Sequence, residues 1–415
     1  MSTSGPGLVR RLGTADAVLI GLGSMMGAGV FAAFAPAAQA AGSGLLIGLV
    51  IAAVIAYCNA TASAQLAAQY PASGGTYVYG RERLGHWWGF LAGWSFVIGK
   101  TASCAAMALT FAAYAVPAPW QRPLAVVAVL ALTGVNYRGI TRTAALTRIL
   151  VAIVLVALGT VVAGSLGSGT LALGQPLTAE HGWYGIAQSA GLLFFAFAGY
   201  ARIATMGEEV RRPARTIPRA IQLALAIAVV SYLLVGISIL SVLGPDGVAT
   251  STAPLTDAVA AVGWPWAPSV VQLGAVAGSL GALLALVAGV GRTTLAMARD
   301  GELPRWLAAV HPRHRVPHRA ELVLAVVVSV LVLTVDLREA IGFSSFGVLL
   351  YYLVANLAAT TQDRAHRRFP RALHWVGAAG CLALVVTLPL TAVLGGVVVL
   401  AVGIGYRLVR RPRRR

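Results

Sequence analysis

Charged side chains are scarce in this 415-residue sequence: Asp, Glu, Lys and Arg make up 11% of it, and only 13 residues are acidic. A soluble domain carries about 25% charged residues, so a polar shell of the usual extent is excluded. Lysine is nearly absent, with Lys100 the single one among 31 basic residues. Cysteine is confined to Cys58, Cys104 and Cys381, each inside an apolar stretch and none at metal-ligand spacing. That excludes a disulfide framework and a cysteine-rich metal centre. What is abundant is apolar sequence, 58% of the chain. Its runs repeatedly reach the roughly 20 residues that a bilayer crossing needs.

A formal net charge of +18 would suit a nucleic-acid partner, but its distribution argues otherwise. Basic residues recur in alternate loops: Arg10 and Arg11, Arg81 and Arg83, Arg138 to Arg148, Arg211 to Arg219, Arg299 to Arg319, Arg364 to Arg371, and the tail from Arg407. The loops between them hold only Arg122 and Arg338. This is the positive-inside pattern, and it puts both termini in the cytoplasm. The partner expected from composition is the lipid bilayer, with no nucleic acid. The terminal RRPRRR reads as an orientation anchor, with anionic lipid headgroups as the alternative ligand.

Twelve apolar segments fit that parity: 15–40, 44–69, 87–115, 121–137, 145–166, 183–207, 217–243, 266–298, 320–335, 339–361, 373–388 and 390–408. They predict a cytoplasmic N-terminus over 1–14, five helices over 15–166, five over 183–361, two over 373–408, and a basic tail over 409–415. The stretches near 167–182 and 244–265 read as Gly/Pro/Thr-rich outer loops.

Segments 1 and 6 share an oddity. GLGSMMGAGVF clusters Gly21, Gly23, Gly27 and Gly29 at mid-depth, and FFAFAGYAR sets Gly199 at mid-depth. Close helix packing explains one such cluster. Two of them, five segments apart, match a pair of inverted five-helix repeats that each open on a discontinuous helix. Unwound backbone at membrane depth is tolerated only where it lines a cavity or is buried in protein. Free N–H groups at one half-helix attract a carboxylate, and carbonyls closing another attract an ammonium. Crossed breaks therefore suit an amino acid.

Three stretches also carry a family resemblance. GLGSMMGAGVF with YPASGGTYVYGRERLG comes first, then FFAFAGYARIATMGEEVRRPARTIPRAI, then GRTTLAMARDGELPRWLAAVHPRHRVP, all between about Gly13 and Thr361. Together they resemble the amino acid–polyamine–organocation (APC) permeases. The resemblance implies an all-α membrane protein of LeuT-like fold: an inverted five-helix repeat plus two C-terminal helices. It implies a permease working by alternating access, not an enzyme, with no cofactor and no metal. By that implication the first break covers Ser24, Met25, Met26, Gly27, Ala28 and Gly29 and takes the substrate carboxylate. The second covers Ala198, Gly199 and Tyr200 and takes the amine, with Tyr200 at the aromatic gate position. Ser279, Ser344 and Ser345 are lining hydroxyls, with local bonding to a helix carbonyl as the alternative.

The departures from the family pattern narrow the cargo. Val154 or a neighbour stands where proton-coupled members carry a fifth-helix lysine. Ala201 and Gly99 stand where cationic-amino-acid relatives carry acids, which weakens a cationic cargo. Lys100 lies about 13 residues into its segment, roughly 20 Å along at 1.5 Å per residue and so near the midplane. Placing a lysine there costs about 2.5–3.5 kcal/mol, which marks a functional residue; snorkelling to the interface is the alternative. No Asp, Glu or His falls at mid-membrane in the sequence. Either a ligand carboxylate supplies the missing charge or Lys100 alternates between neutral and charged forms; both suit transport, and the second makes it the proton-coupling candidate.

Arg292 is expected to pair with Glu208, Glu209 or Asp300 at the cytoplasmic side, and Arg202 either to join the Glu208 network or to reach a substrate carboxylate. The leading expectation is proton-coupled uptake of neutral or small amino acids. An amino acid or amine exchanger and a non-transporting nutrient sensor stay open. Thr293 and Thr294 leave sodium open as the driving ion. A membrane acyltransferase would need a catalytic constellation. The only histidine cluster, His311, His314 and His318, reads as solvated loop without acidic partners. The excess of arginine over lysine points to a high-GC bacterial genome, and the location expected is the plasma membrane.

Overall fold

The computed structural model describes residues 12–71, 74–139, 144–168, 181–206 and 210–409. Among the described residues there is no strand, only an isolated bridge between Leu12 and Val210. The first apolar segment is three helices, α1 (Thr14–Met25), α2 (Ala28–Ala32) and α3 (Phe34–Ala41). Then come α4 (Leu45–Gln69), a short α5 (Thr76–Leu84), α6 (His86–Ala115), α7 (Ala118–Tyr137) and α8 (Ala144–Gly167). The second half opens on α9 (Gly182–Phe197), a 3-10 turn over Ala198–Tyr200, and a stub, α10 (Ala201–Ala204). It continues through α11 (Pro213–Thr250), α12 (Pro254–Ala261), α13 (Ala267–Arg299), α14 (His318–Thr334) and α15 (Leu337–Thr360). Two last helices, α16 (Arg371–Thr387) and α17 (Leu390–Val409), complete it. Ten helical stretches among the described residues are long and apolar enough to cross a membrane.

Local chemistry sets these boundaries. Proline stands in the first turn of α7, α11, α12 and α13, where its missing N–H has no partner to lose. Asp336 caps α15 by accepting the Glu339 N–H at 2.7 Å, half of a reciprocal capping box. Gly244 takes a left-handed φ of 70° inside α11 and Pro245 follows it, so the apolar run ends at the predicted place. Beyond that kink the chain is helical to Thr250 and again through α12. The expected outer loop over 244–265 is therefore largely helix. Pro245 and Pro254 each open a turn that the reading by composition takes for coil.

The helices turn apolar faces outward. Val127, Val156, Val386 and Val398 are all more than half exposed, which in water would be costly and in lipid is neutral. Exposed tryptophans collect at both ends, with Trp120, Trp183 and Trp266 toward one and Trp87, Trp306 and Trp375 toward the arginine-rich other, as in interfacial belts. Inside, α6 crosses α15 at glycines. A Cβ on Gly347 would stand 2.6 Å from Ser95 O and 2.7 Å from Gly99 Cα.

The arginine-rich end is latched by charge. Arg81 Nη1 and the Tyr77 hydroxyl both donate to Asp300 Oδ2 at 2.6 Å. Burial and the adjacent Asp300 push the Tyr77 phenol up from its ordinary value, so it stays a donor. Arg148 meets Asp16 at 2.5 Å. Arg407 of α17 meets Glu302 at 2.8 Å with both side chains about nine-tenths buried, and its guanidinium lies 4.7 and 4.6 Å from the Trp87 and Phe90 rings. Removing one partner of a buried pair strands the other charge at about 3–5 kcal/mol. Glu302→Gln should therefore lower the unfolding temperature in detergent markedly, as thermal-shift fluorescence would read. Restoring a carboxylate with Asp should recover part of the loss.

Candidate functional site

The first discontinuity is narrow. α1 continues through Ser24 and Met25, and the chain turns only at Met26 (φ −80°, ψ 23°) and Gly27 (φ −73°, ψ −128°) before α2 begins at Ala28. Ser24 keeps a helical bond of its own, its hydroxyl donating to Ile20 O at 3.0 Å. Of the six residues assigned to this break, two are unwound and four belong to the flanking half-helices. The second discontinuity is tightened rather than unwound. Ala198 (φ −64°, ψ −2°) and Tyr200 (φ −65°, ψ −19°) keep right-handed backbone, and the i+3 pattern over three residues diverts carbonyls from the α-ladder.

The two discontinuities touch. A Cβ on Gly199 would fall 2.3 Å from the carbonyl carbon and oxygen of Ser24, and one on Gly29 would fall 2.6 Å from Ala196 Cα. Only glycine admits such approach. Tyr232 of α11 ties the pair, its hydroxyl 2.8 Å from Met25 O and 3.1 Å from Ala196 O. Tyr114 of α6 donates to Phe31 O at 3.0 Å. Tyr200 stacks on Tyr352 of α15, ring centroids 5.0 Å apart.

Lys100 reaches this junction. Its ammonium donates to Ala198 O at 3.3 Å, and the Tyr352 hydroxyl lies 3.4 Å from the same oxygen. The residue is 7% exposed, too deep to snorkel. Among the described residues no carboxylate forms an ion pair with it. A neutral carbonyl at the C-terminal end of α9 offers partial negative charge, far less than burying an ammonium demands.

The remaining predicted residues fall into place around it or away from it. Ser344 shares a hydrogen bond with Ser103 at 2.7 Å, linking α15 to α6. Ser279 and Ser345 are buried with hydroxyls that have no hydrogen-bond partner among the described residues. Val154 packs at Gly278, beside Met26 and Gly27, in a small cleft walled by Gly23, Leu150 and Val151. The side chains around Val154 in this cleft are apolar. Thr293 satisfies its own hydroxyl on Gly289 O at 3.2 Å. Arg202 bonds Thr205 at 3.4 Å. Glu208 and Glu209 lie outside the described residues.

Two expectations are corrected. Asp300 pairs with Arg81 and not with Arg292, because Arg292 is two turns further along α13, about 12 Å away at 1.5 Å per residue. The other two partners expected of Arg292, Glu208 and Glu209, lie outside the described residues; its neighbour Gly291 packs against Glu321, which is 2% exposed. The three histidines are not a solvated loop. His311, His314 and His318 are half-buried around Tyr137 at 5.2, 6.2 and 6.1 Å between ring centroids. Sequence reading also missed Tyr114, Tyr232 and Tyr352, although a tyrosine inside an apolar span always has a hydroxyl to satisfy.

Comparison with known proteins decides the family. The pattern described as amino acid permease matches residues 12–405. The chain belongs to the amino acid permease family. An uncharacterized transporter of Mycobacterium tuberculosis is 60% identical over 409 residues, 97% of this chain and 92% of the relative. The branched-chain amino acid permease of Bacillus subtilis is 26% identical over 91% of this chain and 86% of its own. The human cationic amino acid transporter 4 is 30% identical over 85% of this chain and 59% of its own. The permease is accordingly a multi-pass membrane transporter, of a family of carriers and not of enzymes.

Proposed function

We propose that this permease takes up neutral or small amino acids together with protons, by alternating access of a LeuT-like inverted repeat. The observation that carries the reading is the Lys100 ammonium on Ala198 O, where the two discontinuous helices meet. A charged lysine there lacks a counter-ion, and the carboxylate of an arriving amino acid supplies one. Cargo and proton then stabilise each other in the site, which is the thermodynamic condition for coupled transport. When the cargo leaves, the ammonium is again uncompensated and releases its proton on the same side.

In this reading the N–H groups that open α2, just past the turn at Met26 and Gly27, are the donors to the carboxylate. Ser279 and Ser345, with unused buried hydroxyls, line the pocket, and Tyr200 gates it. The repeat comprises the helices over 15–166 and 183–361, and α16 and α17 are additions. α14 and α16, 17 residues each, span about 26 Å and bring the crossings to twelve, with both termini in the cytoplasm. Latches at the arginine-rich end and a cavity at the other suit a carrier resting open to the outside. A neutral cargo is favoured over a cationic one because Ala201 and Gly99 offer no acid. The relatives include both a branched-chain amino acid permease and a cationic amino acid transporter, so the preference rests on these two positions.

The test is uptake into proteoliposomes of the purified protein, screened over common amino acids and amines with the outside made acidic. Neutral amino acids should accumulate above protein-free vesicles, and a protonophore should abolish the accumulation. Equal uptake with and without the gradient for every amino acid, or uptake of amines alone, would contradict the reading.

A further inference from the structure

Away from the central junction the described residues line an open-mouthed cavity of about 430 Å³. It lies at the end opposite the arginine-rich loops, between α2 and α3, the α6–α7 turn, the start of α12 and the start of α15. Phe31 forms part of its wall. That residue is four positions past Gly27, about 6 Å along the chain at helical rise. Along α2 the cavity wall therefore comes to within about one helical turn of the first discontinuity.

Its charge is unusual for this molecule. Two arginines, Arg122 and Arg338, stand at that end, and both line this cavity. They come from different helices, α7 and α15. Neither forms an ion pair with a carboxylate among the described residues. Arg338 is held open by neutral acceptors, Gln39 Oε1 at 3.0 Å and Gln188 Oε1 at 2.9 Å. Arg122 donates to Leu333 O at 2.5 Å. Two guanidiniums on one wall set leave most of their forked donors for a ligand. Asp336 lines the same space and uses one carboxylate oxygen to cap α15, so negative charge is present beside the positive pair.

We infer that this vestibule is a second binding site, which captures a zwitterionic α-amino acid before it passes Phe31. The arginines take the carboxylate and Asp336 takes the ammonium. The inference rests on the proposed amino acid cargo and adds a site that selects for it before the central junction is reached. Plain amines lacking a carboxylate would meet two positive charges and be turned back. Attraction of this kind acts through partly exposed groups, so salt screens it: the Debye length falls from about 20 Å to about 6 Å between about 20 and about 300 mM salt.

The experiment measures initial uptake rates in proteoliposomes for the best-transported neutral amino acid, at low and high salt. The double variant Arg122→Gln, Arg338→Gln should raise KM about tenfold and leave the maximal rate within about twofold. It should also remove the salt dependence that the unmodified protein shows, while Arg122→Lys, Arg338→Lys should retain most of both. A structural role would instead lower the maximal rate. An unchanged KM in the double variant overturns the inference. So does a salt-independent KM in the unmodified protein, which decides the matter even where the variant fails to fold. Failure of the unmodified protein to transport any amino acid would instead overturn the proposed cargo.

Discussion

Lys100→Ala should abolish accumulation while leaving the protein folded. With an imposed gradient of two pH units and one proton per cargo, the unmodified carrier can concentrate its substrate up to about 100-fold, at about 1.36 kcal/mol per unit. The variant should equilibrate substrate to a ratio of about one. The alanine removes an uncompensated buried ammonium and leaves a small cavity, two changes in stability of opposite sign, so the unfolding temperature should move little. Lys100→Arg separates charge from proton release. Its guanidinium cannot deprotonate in a protein, so exchange of internal for external amino acid should persist while net gradient-driven uptake is lost. Accumulation ratios and counterflow rates in the same vesicles check both variants. A Lys100→Ala protein that still accumulates cargo in proportion to the pH gradient would remove Lys100 from the coupling.

The second large effect is expected at Gly199. A Cβ there would sit 2.3 Å from the Ser24 carbonyl carbon and oxygen and 2.5 Å from Met25 N. These are backbone atoms in the last turn of α1, so no side chain can swing away. Gly199→Ala must separate the two discontinuous helices, at an overpacking cost of about 1–3 kcal/mol. It should reduce transport at least tenfold, because Ala198 O and Lys100 move with the turn. Gly289→Ala is the matched control. Nothing lies within 4 Å of a Cβ at that position on α13, so rate and unfolding temperature should stay at or slightly above the unmodified values. Uptake and thermal-shift measurements on the two variants side by side read the contrast. Equal behaviour of the two would mean that the junction is not tightly packed.

The helices were legible because lipid imposes a long apolar run on each crossing, and the apolar segments agree with the described helices to within a few residues at most ends. The glycine clusters likewise marked both discontinuities, since backbone contact at Gly29 and Gly199 leaves no room for any other residue. Their form was not legible. Whether a glycine cluster unwinds the helix or tightens it into a 3-10 turn depends on what packs against it, and Tyr232 reaches the junction from another helix. Lys100 could be singled out as lacking a counter-ion, but its actual partner is a backbone carbonyl, which no residue pattern encodes. The charge network at the arginine-rich end escaped prediction for a similar reason. Tyr77 and Arg81 lie on α5, a helix too short and polar to register as a span, and it is this helix that delivers Arg81 to Asp300. The vestibule arginines were visible as the only outer ones, yet their convergence needed α7 and α15 to be placed side by side.

Counting protons against cargo tests the account most directly. A pH-sensitive dye trapped inside proteoliposomes reports proton entry when the transported amino acid is added outside, without any imposed gradient. The account predicts that internal acidification accompanies uptake at about one proton per molecule, and that Lys100→Ala shows none. Amino acid entering the vesicles with no movement of protons, by the unmodified protein, would contradict it.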